Sequence, residues 1–238
     1  FQNNAKLASI TNLTEIGFTN LGNLGGTLPD VKDSDAAWGD YNHDGAIDLL
    51  ISGRNDAGQR FTHVYTNDGM GSLLPNPLTF TGLYDGSVDW GDFDNDGWLD
   101  IAYTGTNDSK ILGIILKNDA TGGFSQFSSP LEGTVNGNIQ FGDYDLDGFK
   151  DILLTGNDGF TEFDRTATLY RYNPTNQQFE EDEVAAAPFL AVNEGSQAVW
   201  GDINQDDKLD MLLMGQRSSS PDSGAFRFYE NFGDLTPI

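Results

Sequence analysis

The chain has 238 residues and no cysteine, and its 37 acidic residues against 12 basic ones give a formal net charge of −25. So few basic residues argue against a nucleic-acid partner and against an anionic membrane surface, both of which need clustered Lys and Arg. No apolar stretch approaches the roughly 20 residues that span a bilayer, so membrane insertion is not expected, and without cysteine no disulfide staples the fold.

In chain order, the first recurring element is an Asp-rich loop framed by apolar residues. It occurs at 38–53 (WGDYNHDGAIDLLISG), 90–105 (WGDFDNDGWLDIAYTG), 141–156 (FGDYDLDGFKDILLTG) and 200–215 (WGDINQDDKLDMLLMG). The loop-opening residues Asp40, Asp92, Asp143 and Asp202 lie 52, 51 and 59 residues apart. A second marker follows in each unit, an apolar or aromatic stretch ending in Asn67, Asn118, Asn173 or Asn231.

This spacing predicts four short strands per unit. One leads into the loop (36–38, 88–90) and one leaves it (47–52). A third carries the Asn marker, and a fourth is the apolar run before the next loop, such as 78–83 (LTFTGL). Four strands in a repeat of this length form a β-propeller blade. Helix fails as an alternative because the apolar runs are short and bounded by Gly, Asn and Asp, residues that tolerate positive φ. Only 184–192 (VAAAPFLAV) invites a helix, and Pro188 limits it to about one turn. The expected fold is all-β.

Each loop sets oxygen-bearing side chains at positions 1, 3, 5 and 9, with a backbone carbonyl on offer at position 7. That pattern suits calcium, a hard cation taking six to eight oxygens. The candidate ligands are Asp40, Asn42, Asp44, Ala46 (carbonyl) and Asp48 in loop 40–48. In loop 92–100 they are Asp92, Asp94, Asp96, Trp98 (carbonyl) and Asp100. Loop 143–151 offers Asp143, Asp145, Asp147, Phe149 (carbonyl) and Asp151. Loop 202–210 offers Asp202, Asn204, Asp206, Lys208 (carbonyl) and Asp210. Position 6 is Gly45, Gly97 and Gly148 in three loops and Asp207 in the fourth, which is therefore the weakest expected site. An EF-hand begins in the same way but needs a Glu at position 12, where Ile51, Tyr103, Leu154 and Leu213 stand. The loops contain 14 of the 37 acidic residues, and four Ca²⁺ at +2 each would move the net charge from −25 to −17.

The Trp/Phe-Gly-Asp opening, the Asp-rich loop and the Asp-(Ile/Leu/Met)-Leu strand resemble the FG-GAP/VCBS repeats of integrin α-subunits and secreted bacterial proteins. The Gly-Ala-Pro element of the integrin version is missing, so the bacterial VCBS style is the closer likeness. The resemblance covers all four units. It implies a single β-propeller region over 1–238, about four calcium ions, and a role in adhesion, sugar binding or scaffolding.

The ends of the chain bear on closure. Phe1-Gln2-Asn3 resembles the strand-three marker near the other terminus, and 15–21 (EIGFTNL) offers a fourth strand for a closed four-bladed ring. The duplicated marker favours instead a segment of a larger propeller, such as a seven-bladed one. A first residue that is Phe rather than Met fits a processed or excised piece.

No nucleophile elbow, phosphate loop or zinc-type cluster is present, so an enzyme is not expected. His43 sits between loop ligands and His63 on a strand-three pattern; the acidic run 180–183 reads as a solvated loop. The formal glycosylation sequons at Asn12 and Asn107 are weak signals. The expected role is an extracellular or cell-surface module that binds a protein or glycan without catalysis. The alternatives are a self-associating unit of a surface polymer or filament and an accessory propeller of a larger secreted enzyme. Tyr84, Phe124, Phe160 and Phe179 are candidate sugar-stacking residues, with packing between blades as the competing role.

Overall fold

The computed structural model describes residues 20, 28–128, 130–159, 161, 165–216 and 224–233. These form four antiparallel sheets, each built from consecutive strands. The first holds β1 (Lys32–Gly39), β2 (Asp48–Arg54), β3 (Arg60–Asn67) and β4 (Leu73–Pro75). The second holds β5 (Val88–Gly91), β6 (Asp100–Thr106), β7 (Ile111–Asn118) and β8 (Phe124–Phe127). The third holds β9 (Val135–Gly142), β10 (Asp151–Asn157), β11 (Arg165–Asn173) and β12 (Gln178–Glu181). A single helical turn, α1 (Glu183–Ala186), precedes the fourth sheet of β13 (Asn193–Gly201), β14 (Asp210–Gln216) and β15 (Gly224–Tyr229). The turn starts where the Asp182 carboxylate accepts from the Val184 and Ala185 N–H groups, the usual N-cap arrangement.

Strands β6 and β10 are apolar without alternation because sheets cover them on both faces. Every residue of β6 is buried, and Ile152, Leu153 and Leu154 of β10 are fully enclosed. Three apolar clusters fill the gaps between successive sheets. Tyr41, Leu50 and Val64 meet Trp90 and Tyr103 in the first gap. Phe93 and Ile115 meet Ile152 and Tyr172 in the second, and Leu153 and Leu169 meet Met211 and Leu213 in the third.

The Trp/Phe-Gly pair has a packing role that spans two repeats. A Cβ at Gly39 would lie 3.0 Å from the Trp90 ring, one at Gly91 2.5 Å from Phe141, and one at Gly142 2.5 Å from Trp200. The glycine of each of the first three repeats therefore forms the seat for the next repeat's aromatic ring. Polar contacts join the same strands: Trp90 Nε1 donates to the Ala37 carbonyl at 3.2 Å, and the Phe141 N–H donates to Asp89 Oδ2 at 2.8 Å. The arrangement is propeller-like, with β1, β5, β9 and β13 side by side.

Two expectations need correction. The fourth strand is the short segment just after the marker, not the later apolar run. Behind Asn67 the Asp68 carboxylate accepts from the Met70 and Ser72 N–H groups and Gly69 and Gly71 take positive φ, so the chain reverses at once. The run 78–83 instead enters the gap between sheets, with Leu83 wholly buried and Phe80 against Phe124. The second correction is that four strands per unit holds for three sheets; among the described residues the fourth sheet has three. The segments 1–3 and 15–21 invoked for closure lie outside the described residues apart from Asn20.

Candidate metal-binding loops

All four loops share one backbone design. Position 6 has positive φ at Gly45, Gly97, Gly148 and Asp207, the last at 66°. Position 4 does too, at His43, Asn95, Leu146 and Gln205, with φ of 57–61°. Two left-handed residues coil the chain tightly enough for alternate side chains to point inward. The position-1 carboxylate fixes the coil: Asp92 accepts from Asp96 N at 3.0 Å and from Gly97 N at 2.8 Å. Asp40 and Asp202 make the same pair of contacts, and Asp143 accepts from Gly148 N. Position 5 accepts from the position-7 N–H in every loop, from Ala46, Trp98, Phe149 and Lys208.

Position 9 anchors the loop to its sheet. Asp48, Asp100, Asp151 and Asp210 are at most 1% exposed. Each accepts with one oxygen from the position-2 N–H, that of Tyr41, Phe93, Tyr144 or Ile203. The other oxygen accepts from strand three, from Asn67, Asn118, Tyr172 or Asn231 at 2.8–2.9 Å. Burial is the main force on the protonation of Asp48, Asp100 and Asp151. It raises Asp100 to about 7 and Asp151 to about 8 against the pull of those N–H groups, and it raises Asp48.

The same contacts correct the marker in the third repeat. Tyr172, not Asn173, occupies the place of Asn67, Asn118 and Asn231, because the pairing of Ile152 with Tyr170 shifts the strand by one residue. Asn173 instead donates to Glu180.

The structure brings acidic oxygens together in two loops. Ligand atoms of Asp92, Asp94 and Asp96 lie within 4.8 Å of one another, as do those of Asp143, Asp145 and Asp151. Asp94 Oδ1 and Asp143 Oδ1 are buried with no hydrogen-bond partner. A buried anionic oxygen without a partner is costly, and a hard cation removes that cost. These donor sets therefore fit Ca²⁺. Cationic side chains already lean on them: Lys117 pairs with Asp94 and with Asp96, the latter at 3.1 Å, and Arg171 pairs with Asp145 at 3.2 Å. No third carboxylate converges in loops 40–48 and 202–210 among the described residues; there Asn42 and Asn204 stand at position 3 and accept from Asp44 N and Asp206 N. Spacing alone missed Lys117 and Arg171, although both sit one residue ahead of the strand-three anchor.

The remaining candidates are mostly structural. Tyr84 is 7% and Phe179 1% exposed, so these two are interior rings, and the half-buried Phe124 packs on Tyr41, Phe80 and Trp90. Phe160 lies outside the described residues. His43 is exposed and stacks on Trp98 at 4.3 Å, joining the first loop to the second. His63 is partly buried, which lowers its pKa. No helix among the described residues is long and apolar enough to cross a membrane.

No curated protein matches the chain by sequence. Among solved structures it is similar to that of an Agrocybe aegerita lectin, described for specific recognition of non-reducing terminal N-acetylglucosamine. The identity is 14% and the TM-score 0.47, over 90% of this chain and 53% of that one. The repeats themselves give the firmer relation: residues 40–103 and 92–154, which carry the first three loops, match the FG-GAP-like repeat.

Proposed function

We propose that this chain is a calcium-stapled, propeller-like module that works outside the cell, binds a protein or glycan and has no catalytic activity of its own. The convergence of Asp92, Asp94 and Asp96, and of Asp143, Asp145 and Asp151, around unpartnered buried oxygens carries this reading. Calcium supplies charge neutralisation there and ties each loop to its sheet; Asp40, Asn42, Asp44 and Asp202, Asn204, Asp206 hold it in the first and fourth loops. Loops of this open kind suit the high calcium levels met by extracellular modules. The best-organised carboxylates are committed to backbone N–H groups and to the ion, which leaves them unsuited to proton transfer.

On this reading the four sheets are an arc of a larger propeller, in the style of bacterial VCBS proteins, and the loops on its rim present the binding surface. Calorimetric calcium titration, a glycan array and a turnover screen on polysaccharides test it together. Calcium uptake with ligand capture and no turnover is the expected result. Absence of calcium binding, or turnover abolished by one carboxylate substitution that leaves melting unchanged, would overturn it.

A further inference from the structure

At position 3 of the loops the two terminal atoms of the side chain have separate partners. Oδ1 accepts from the position-5 N–H: Asn42 from Asp44 at 3.0 Å, Asp145 from Asp147 at 3.2 Å and Asn204 from Asp206 at 3.0 Å. In loop 92–100 the equivalent atom, Asp94 Oδ1, is buried without a partner. The other atom is held from strand three. Asp94 Oδ2 pairs with Lys117, Asp145 Oδ2 pairs with Arg171 at 3.2 Å, and Asn204 Nδ2 donates to Glu230 Oε1 at 3.0 Å.

Lys117, Arg171 and Glu230 occupy one register position. Each immediately precedes the residue, Asn118, Tyr172 or Asn231, whose N–H bonds the position-9 carboxylate. The charge there follows the chemistry of position 3. Opposite a loop carboxylate the strand carries a cation, and opposite the Asn204 amide it carries a carboxylate. In the first repeat the residue is Thr66, which turns to the Tyr41 hydroxyl at 3.0 Å, and Asn42 Nδ2 donates to Asp44 instead. The exchange conserves charge. Four ligand carboxylates and one cation leave −3 in the second and third loops. Asp202, Asp206, Asp210 and Glu230 against Lys208, which pairs with Asp206 at 3.2 Å, leave the same −3.

Resting on the calcium reading of the loops, we propose that the residue before the strand-three anchor is a positioning residue that sets the calcium affinity of its own loop. Lys117 and Arg171 fix the outer oxygen of Asp94 and Asp145, neutralise part of the loop charge in the calcium-free protein, and repel the arriving ion. Glu230 does the reverse. It restores the negative charge that Asn204 lacks and holds the amide with its oxygen turned into the loop. Calcium affinity in oxygen cages follows the charge count and rigidity of the ligands, and this position changes both without altering the loop itself.

NMR titration of the full chain with calcium tests the assignment loop by loop. The N–H signals of Asp96 and Gly97, of Gly148, and of Asp206 and Asp207 report separately, because each group is held by the position-1 carboxylate of its own loop. Lys117→Gln should tighten binding at loop 92–100 by about two- to fivefold, the scale of one part-exposed ion pair. Arg171→Gln should do the same at loop 143–151, and Arg171→Lys should stay near wild type. Glu230→Gln keeps an acceptor for Asn204 but removes the charge, and should weaken loop 202–210 by a similar factor. A purely structural role would move all three loops in one direction. Unchanged affinities, or shifts of the same sign for Lys117→Gln and Glu230→Gln, would overturn this proposal and leave the calcium reading standing. A wild type whose signals ignore calcium would overturn both.

Discussion

The side chain of Asn118 leaves its own sheet and donates from Nδ2 to the Tyr41 carbonyl of the preceding repeat, at 3.0 Å. It also donates to the Leu99 carbonyl at 3.0 Å, while its N–H is held by Asp100. Asn231 makes the equivalent bond to the Tyr144 carbonyl at 2.7 Å. The marker asparagine is thus a clamp between neighbouring repeats. Asn118→Ala strands the buried Tyr41 carbonyl and the part-buried Leu99 carbonyl and should cost about 1–3 kcal/mol in urea denaturation. Asn173→Ala, half-buried and off the clamp register, gives up only its contacts to Glu180 and to the Thr175 N–H and should cost clearly less. Equal losses would remove the clamp role.

The glycine seats give a second contrast. Gly91→Ala forces a methyl group against the Phe141 ring and should destabilise by about 1–3 kcal/mol, the usual range for overpacking. Gly201→Ala meets open space and should leave the denaturation midpoint almost unchanged. Equivalent midpoints for the two variants would show that the rings do not depend on the seat.

Calcium removal should lower the melting temperature, since an ion that binds only the folded state stabilises it by about 2.7 kcal/mol per site at a hundredfold excess over Kd. Lys117 sharpens the test because its ammonium is the counter-charge of Asp94 and Asp96. Lys117→Gln should melt lower in excess chelator and close to wild type in calcium. A loss of equal size under both conditions would show that Lys117 acts only through packing.

Acidity should act on the metal-free protein in a definite direction. Asp100 and Asp151 titrate at about 7 and about 8 in the fold, chiefly because they are buried, against about 4 in an unfolded chain. A carboxyl group with a raised folded pKa favours the fold while protonated, and that contribution is lost as pH climbs through the folded value. In chelator, stability should therefore fall from about pH 4 to about pH 8, and calcium should flatten the slope. Melting curves across that range check it; a metal-free protein that gains stability with rising pH would contradict the burial argument.

The fourth loop carries Asp207 in the left-handed region, with φ of 66°, where the others have glycine. Asp207→Gly should relieve part of the roughly 1–2 kcal/mol that a Cβ costs there and tighten calcium binding at that loop. Calorimetric titration of the two forms decides it, and equal or weaker affinity in the glycine form would reject the idea.

The loops were legible because their chemistry is local. Acceptors at positions 1, 5 and 9 and a glycine at position 6 all act within about nine residues, so spacing carries the information. The left-handed backbone at position 4 was not legible, since Leu146 and Gln205 adopt it without being turn residues by type. There the hydrogen bonds of the position-1 carboxylate hold the coil.

What lay beyond one repeat needed the tertiary structure. The apolar run 78–83 read as a strand, but the tight turn after Asn67 had already supplied the fourth strand and left the run to fill a gap between sheets. Asn173 matched the marker as a letter, yet the pairing of β10 with β11 placed Tyr172 there instead. Tyr84 and Phe179 suited sugar stacking until burial put them inside.

The sequence by itself determined the repeat, its β class and the positions of the inward oxygens, because these follow from local φ preferences and from contacts a few residues apart. Only the tertiary structure decided which carboxylates converge, which asparagines clamp and which glycines seat a ring. Those depend on how sheets about 50 residues apart in sequence meet, and the packing of Trp90 on Gly39 is written in neither repeat alone.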